Sequence, residues 1–225
     1  MGRRKKKFPD NYILMTVEEL EQEFQAELTK RQKRRIEIID KCFECFCENG
    51  LERSGSDTLA RYCNTSSANL FNNYFDTKDE MVIVCTARGM QMVENDFMER
   101  APKSADEIEK FILEMPYITA ELHGKKYRFM YQVYSSPRYL EEGKKFFNGV
   151  TERYTEYAKL LAPQLGIPWE TVQGLIFIFV RACVHYAMFE NEEYLKSQQK
   201  ILIGMIHAIK QNPDLALSAI AAENA

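Results

Sequence analysis

One four-residue signature occurs three times in this chain, as Thr16-Val17-Glu18-Glu19, Thr77-Lys78-Asp79-Glu80 and Ser104-Ala105-Asp106-Glu107. In each, a hydroxyl residue is followed three positions later by Glu. The first turn of a helix leaves backbone N–H groups without partners, and this pairing satisfies them from both sides. The 7 prolines of 225 residues mark boundaries between apolar-periodic stretches, and no pair of alternating strands is present. The expected fold is all-α, with a small N-terminal three-helix domain and a larger C-terminal helical one.

The first clearly amphipathic stretch carries Ile36, Ile39, Phe43, Phe46 and Cys47 on one helical face and closes at Gly50. A polar helix from Thr16 to about residue 30 precedes it, after a loose basic arm. Residues 56–62 form a short helix. Cys63 and Asn64 make a tight connection, and Thr65 or Ser66 caps a second short helix running to about Asn72. Thr77 then opens a long helix to about Glu99. Ser104 opens one that ends at Gly124, and a short helix covers about 125–134. Ser136-Pro137 starts another, which ends before Ala162-Pro163. Pro168 opens a helix to about Asn191, a last helix covers about 193–211, and Pro213 begins a small-residue tail.

Composition narrows the class. Hydrophobic residues at 45% and charged residues at 28% suit a folded globular protein. The net charge of −3 is not that of a general nucleic-acid binder, but the basic residues are clustered, at Arg3–Lys7 and at Lys30–Arg35. The basic N-terminus lacks the apolar core of a secretory signal. The most apolar stretch, Val172–Phe189, is interrupted by Gln173, Arg181 and His185, which fits a buried or interface helix and no membrane partner. Six cysteines without a secretion signal fit reduced thiols and a cytoplasmic location. Cys42, Cys45 and Cys47 read as small buried hydrophobes, because no His or second Cys pair stands at ligand spacing; neither a metal nor a cofactor is expected. With three His, no Gly-rich phosphate loop and no nucleophile motif, the chain is not expected to be an enzyme.

Two short helices joined by a tight turn and braced by an amphipathic helix describe a helix-turn-helix. Arg35-Ile36, Ile38-Ile39, Phe46, Glu48-Asn49-Gly50, Leu59-Ala60, Ser66, Leu70-Phe71, Tyr74-Phe75 and Thr77-Lys78-Asp79 stand in register. Residues 33–82 thereby resemble the DNA-binding domain of TetR/AcrR-type transcription regulators. The string departs from that family's pattern at Gly55, at Asn64-Thr65 in the turn, at Phe71, and by one extra residue at Asn72 or Asn73. Residue chemistry and resemblance together nominate Ser54, Thr65, Ser66, Ser67, Asn69, Asn72, Asn73, Tyr74 and Lys78 as DNA-contacting. Amides suit adenine edges, and Lys78 at a helix start suits a phosphate. The basic arm Arg3–Lys7 suits a minor groove, or else a disordered and inert segment, with disorder the expectation in the absence of DNA.

The resemblance implies three domains: an arm and extension helix over 1–29, a helix-turn-helix over 30–80, and a ligand-sensing and dimerisation domain over 81–225. It implies a homodimer on a two-fold symmetric double-stranded operator, and a repressor released by a small-molecule effector. Ile176, Val180, Cys183, Ala187, Leu202, Met205, Ile206 and Ile209 are the expected dimer residues. Tyr117, Phe129, Tyr131, Tyr134, Phe147, Tyr154, Phe177 and His185 are the expected pocket residues, with the effector's chemistry left open. The long helix from Lys78 is expected to carry the signal. The competing readings are a helical protein-binding adaptor and, further off, a small-molecule enzyme.

Overall fold

A computed structural model describes residues 29–212. The arm, the helix expected from Thr16 and the tail from Pro213 lie outside the described residues. Those described are all-helical: α1 (Lys30–Arg53), α2 (Ser56–Tyr62), α3 (Ser67–Asn73), α4 (Lys78–Arg100), a 3-10 turn (Ala105–Glu107), α5 (Ile108–Tyr134), α6 (Leu140–Leu165), α7 (Trp169–Phe189) and α8 (Glu192–Gln211). The chain divides into two compact units, one holding residues up to Asp96 with Arg128–Gly143, the other holding Phe97–Tyr127 with the chain from Lys144. The division therefore falls at residue 96, where the sequence suggested 80, and the first unit also takes in a later segment.

Local chemistry explains most boundaries. Thr29 caps α1 in a reciprocal box with Gln32, whose side chain accepts from the Thr29 N–H at 2.7 Å. This is a fourth signature, with Gln in place of Glu, beyond the three singled out from the sequence. Gly50, at φ 74°, breaks the helical path of α1 where a stop was expected. Thr77 accepts from the Glu80 N–H at 3.0 Å, but Glu80 reaches the Asp76 N–H. Ser104 makes no side-chain cap; Glu107 accepts from the Lys103 N–H instead, and a 3-10 turn precedes α5.

Two expected breaks are absent. α5 runs through Gly124, which is not among the glycines at positive φ and so does not act as a stop. α6 runs through Pro163 to Leu165, and its stop is Gly166 at φ 69°. Nor does Ser136-Pro137 start a helix; α6 begins at Leu140 after a turn in which the Tyr139 N–H donates to Ser136 O.

In the first unit, α1 buries Ile36, Ile39, Cys42, Phe43 and Phe46, α2 buries Leu59, and α3 buries Leu70. Phe129 stacks on Phe46 with ring centroids 5.3 Å apart. α4 approaches α1 so closely at Gly89 that a Cβ there would lie 2.2 Å from the Phe43 ring, so glycine is required. Next to Gly89, buried Arg88 pairs with Asp40 at 2.7 Å.

The second unit is built on α7. Val172, Leu175, Phe179 and Cys183 join Phe97, Ile112, Leu161, Leu202 and Ile206 in one core. By length and composition α7 could cross a membrane, but a third of its apolar window is buried in this core. Buried Gln199 on α8 donates to Ile112 O at 2.8 Å and Leu113 O at 3.1 Å, beside Pro116 inside α5.

Candidate nucleic-acid interface

α2 and α3 are joined by a specific turn. Asn64 takes a left-handed conformation at φ 50°. The Asn64 N–H donates to Arg61 O at 3.1 Å and the Thr65 N–H to Ala60 O at 2.9 Å. These two bonds make a Schellman stop, in which Asn substitutes for glycine because its short polar side chain tolerates that backbone. The departure at Asn64-Thr65 is therefore compatible with the turn. Arg34 on α1 adds a donor to Cys63 O at 2.8 Å and an ion pair to Glu37 at 2.6 Å. This arginine of the basic cluster is thus part of the brace.

Ser66 caps α3, accepting from the Asn69 N–H at 3.1 Å. Ser67 donates to Asp57 Oδ1 on α2 at 2.5 Å, tying the two helices together. Asn69 Nδ2 donates to Thr65 Oγ1 at 2.6 Å, and Asn73 Nδ2 donates to Asn69 Oδ1. Asn72 is exposed, as are Ser66, Asn73 and Lys78. Tyr74 is half-buried at the C-cap of α3. Eight of the nine candidate residues thus lie on or beside α3 or at the start of α4. Ser54 does not belong with them. It is fully buried, and its hydroxyl donates to Gly50 O at 2.7 Å, closing the end of α1.

Behind this face lies a thiol cluster whose pairing the sequence concealed. Cys42 Sγ meets Cys63 Sγ at 3.5 Å, so the contact runs from α1 to the end of α2 rather than from Cys42 to Cys45. Mutual contact and burial push the Cys63 thiol well up, and Cys42 also lies above the ordinary thiol range, so both are protonated at neutral pH. Among the described residues no group of three or more His, Cys, Asp or Glu could hold a metal ion. In the first turn of α4, Asp79 accepts from Tyr139 Oη at 2.7 Å and pairs with Arg138. These two contacts hold its carboxyl below the usual range.

The expected pocket residues do not converge. Phe129, Tyr131 and Tyr134 belong to the first unit and the other five to the second. Phe129 and Tyr134 are core, Tyr154 is buried, and His185 packs between Phe189 and Tyr194. Tyr117, Phe147 and Phe177 are exposed. The second unit does hold a cavity of about 60 Å³, walled by apolar side chains including Phe97, Phe111, Leu161, Ile176 and Ile209. None of the eight candidates lines it.

The expected dimer residues need a similar correction. Cys183, Ala187, Leu202 and Ile206 are buried within the chain, Ile176 and Ile209 line the cavity, and Val180 packs on the core. Only Met205 is exposed. Seven of these eight residues face inward, and the exposed apolar face is rotated from them. It carries Phe177 and Ile178 on α7, and Ile201 at 61% exposure with Met205 on α8. Gly174 and Gly204 add open space to the same faces. Comparison with protein-family models, curated proteins and solved structures gives no match.

Proposed function

We propose that this chain is a homodimeric, sequence-specific DNA-binding regulator of transcription, acting as a repressor that a small molecule releases. The observation that carries this reading is the α2–α3 pair. Two seven-residue helices are closed by a Schellman turn, braced by α1, and linked by Ser67 to Asp57. In this reading the pair is a helix-turn-helix, and α3 is the helix that enters the major groove. Its outward side chains are polar and short enough to meet base edges. Lys78 stands exposed at the start of α4, where an ammonium and backbone N–H groups can share a phosphate.

The dimer would form through the exposed face of α7 and α8. Exposed apolar side chains on two adjacent helices call for a cover, and a second copy brings the same side chains. The effector would enter the second unit through its apolar cavity. A drug-sized ligand needs a pocket of roughly 300–1,000 Å³, so it must widen this one.

The test is a gel shift with the intergenic DNA upstream of the protein's own coding sequence, across a range of salt. Binding that weakens steeply with salt is expected. Lys78→Ala should weaken all DNA alike and lower the salt slope by about one. An unchanged slope removes Lys78 from the interface. The same exposed face on α7 and α8 would suit a helical adaptor; that reading gains if no duplex is retained at low salt.

A further inference from the structure

α3 carries no charged side chain; its residues are Ser-Ala-Asn-Leu-Phe-Asn-Asn from 67 to 73. That composition limits what it can read. Guanine is recognised through O6 and N7 by Arg or Lys, and cytosine through its amino group by a carboxylate. α3 has neither. A side-chain amide matches adenine, giving an N–H to N7 and accepting from the N6 amino group, and a small apolar side chain matches the thymine methyl.

The hydrogen bonds separate three asparagines that look alike in the sequence. Asn69 is held at both ends, its Nδ2 on Thr65 Oγ1 and its Oδ1 under Asn73 Nδ2. With one N–H and one lone pair taken, these contacts set the plane of its amide and turn it towards Thr65 and Asn73. Asn73 keeps its Oδ1 and one N–H. Asn72 is exposed and hydrogen-bonds to nothing among the described residues. Ala68 is exposed four residues before Asn72, hence on the same face of the helix.

We propose that α3 reads A·T pairs, with Asn72 and Asn73 on adenine edges and Ala68 on a thymine methyl, while Asn69 is a positioning residue that fixes the Asn73 amide. This rests on the DNA-binding reading above and adds to it the chemistry of the half-site. It also separates Asn69 from Asn72 and Asn73, which the sequence nominates together.

The experiment selects binders of the full chain from randomised duplex DNA, then measures single positions. Neighbouring A·T pairs should be enriched in each half-site. Exchanging one for G·C should weaken binding about 5- to 150-fold. Replacing the critical adenine by 7-deazaadenine removes N7 and should weaken wild type, yet leave Asn72→Ala or Asn73→Ala unaffected at the pair each reads. Asn72→Arg should move the preference at its pair towards G·C. Asn69→Ala should lower affinity and relax preference only at the pair that Asn73→Ala also relaxes.

Guanine at the contacted positions, or an unchanged motif of unchanged strength from Asn72→Ala, would overturn the proposal while leaving DNA binding intact. Loss of base preference in Asn69→Ala at a pair that Asn73→Ala leaves intact would overturn its positioning role. Failure of wild type to retain any duplex at low salt would overturn DNA binding itself, and this inference with it. Thermal melts of each variant separate lost recognition from lost folding.

Discussion

Pro116 illustrates how one residue can dictate a contact 83 positions away. Proline has no N–H, so Ile112 O has no partner within α5. Gln199 supplies it from α8, and it is buried while doing so. Gln199→Leu keeps the volume and leaves the carbonyl unpaired, which should cost about 1–3 kcal/mol. In a Pro116→Ala background the helix provides its own N–H, so the same change should cost less; denaturant melts of the four proteins measure the coupling. Equal cost in both backgrounds would assign the loss to packing. Tyr139 gives a second test at this scale. Burial and its bond to Asp79 push its phenol up to about 12. A phenol with a raised folded pKa contributes stability that is whole below pH 10, its unfolded value, and lost as pH rises through about 12. Alkaline titration at 295 nm should show a late-ionising fraction that shrinks in Tyr139→Phe. Ionisation of all tyrosines together near pH 10, with the fold retained, would contradict this.

At the scale of elements, α7 and α8 separate two kinds of apolar residue that hydrophobicity alone merges. Ile206 is 7% exposed and Ile201 is 61% exposed, five positions apart on one helix. Ile201→Glu should leave the melting temperature nearly unchanged and dissociate a dimer in sedimentation. Ile206→Glu should instead unfold the second unit, because an unpaired charge would enter its core. A monomeric wild type at micromolar concentration would contradict the dimer. These helices also show what the sequence could convey. Helix order and most starts were legible, because capping residues and 3.6-residue periodicity are local; the number was one too many, since 108–134 is a single helix. Gly124 and Pro163 misled as stops, since neither residue ends a helix unless the backbone turns there. The exposed face was misjudged because both faces of α7 are apolar, and which one meets the core depends on partners far away in sequence. At α3, by contrast, the candidate residues were found from local polarity. Their hydrogen-bond order, and the burial of Ser54, depended on tertiary geometry.

For the whole molecule, the cavity of the second unit sets a trade-off between stability and response. Filling about 60 Å³ of void is worth at most about 1.4 kcal/mol. Val172→Ile adds one methylene to its wall and should raise stability by a fraction of that, read from denaturant midpoints. In the regulator proposed here it should also blunt release from DNA, because the effector would meet a stiffer wall. An effector response that is unchanged in a stabilised Val172→Ile protein would place its site elsewhere.

The interleaving of the two units has a consequence for synthesis. The first unit includes Arg128–Gly143, which brings Phe129 to Phe46 and Tyr139 to Asp79. A nascent chain that has just released Asp96 therefore carries α1 to α3 complete in sequence but unfinished in structure. At about 5–20 residues per second, the remaining stretch to Gly143 takes about 2–10 seconds to make. During that interval the Phe46 ring and the Asp79 carboxylate await their partners. In each new copy that interval leaves the Phe46 side of α1 without its Phe129 cover, transiently exposed apolar surface of the kind that chaperones meet.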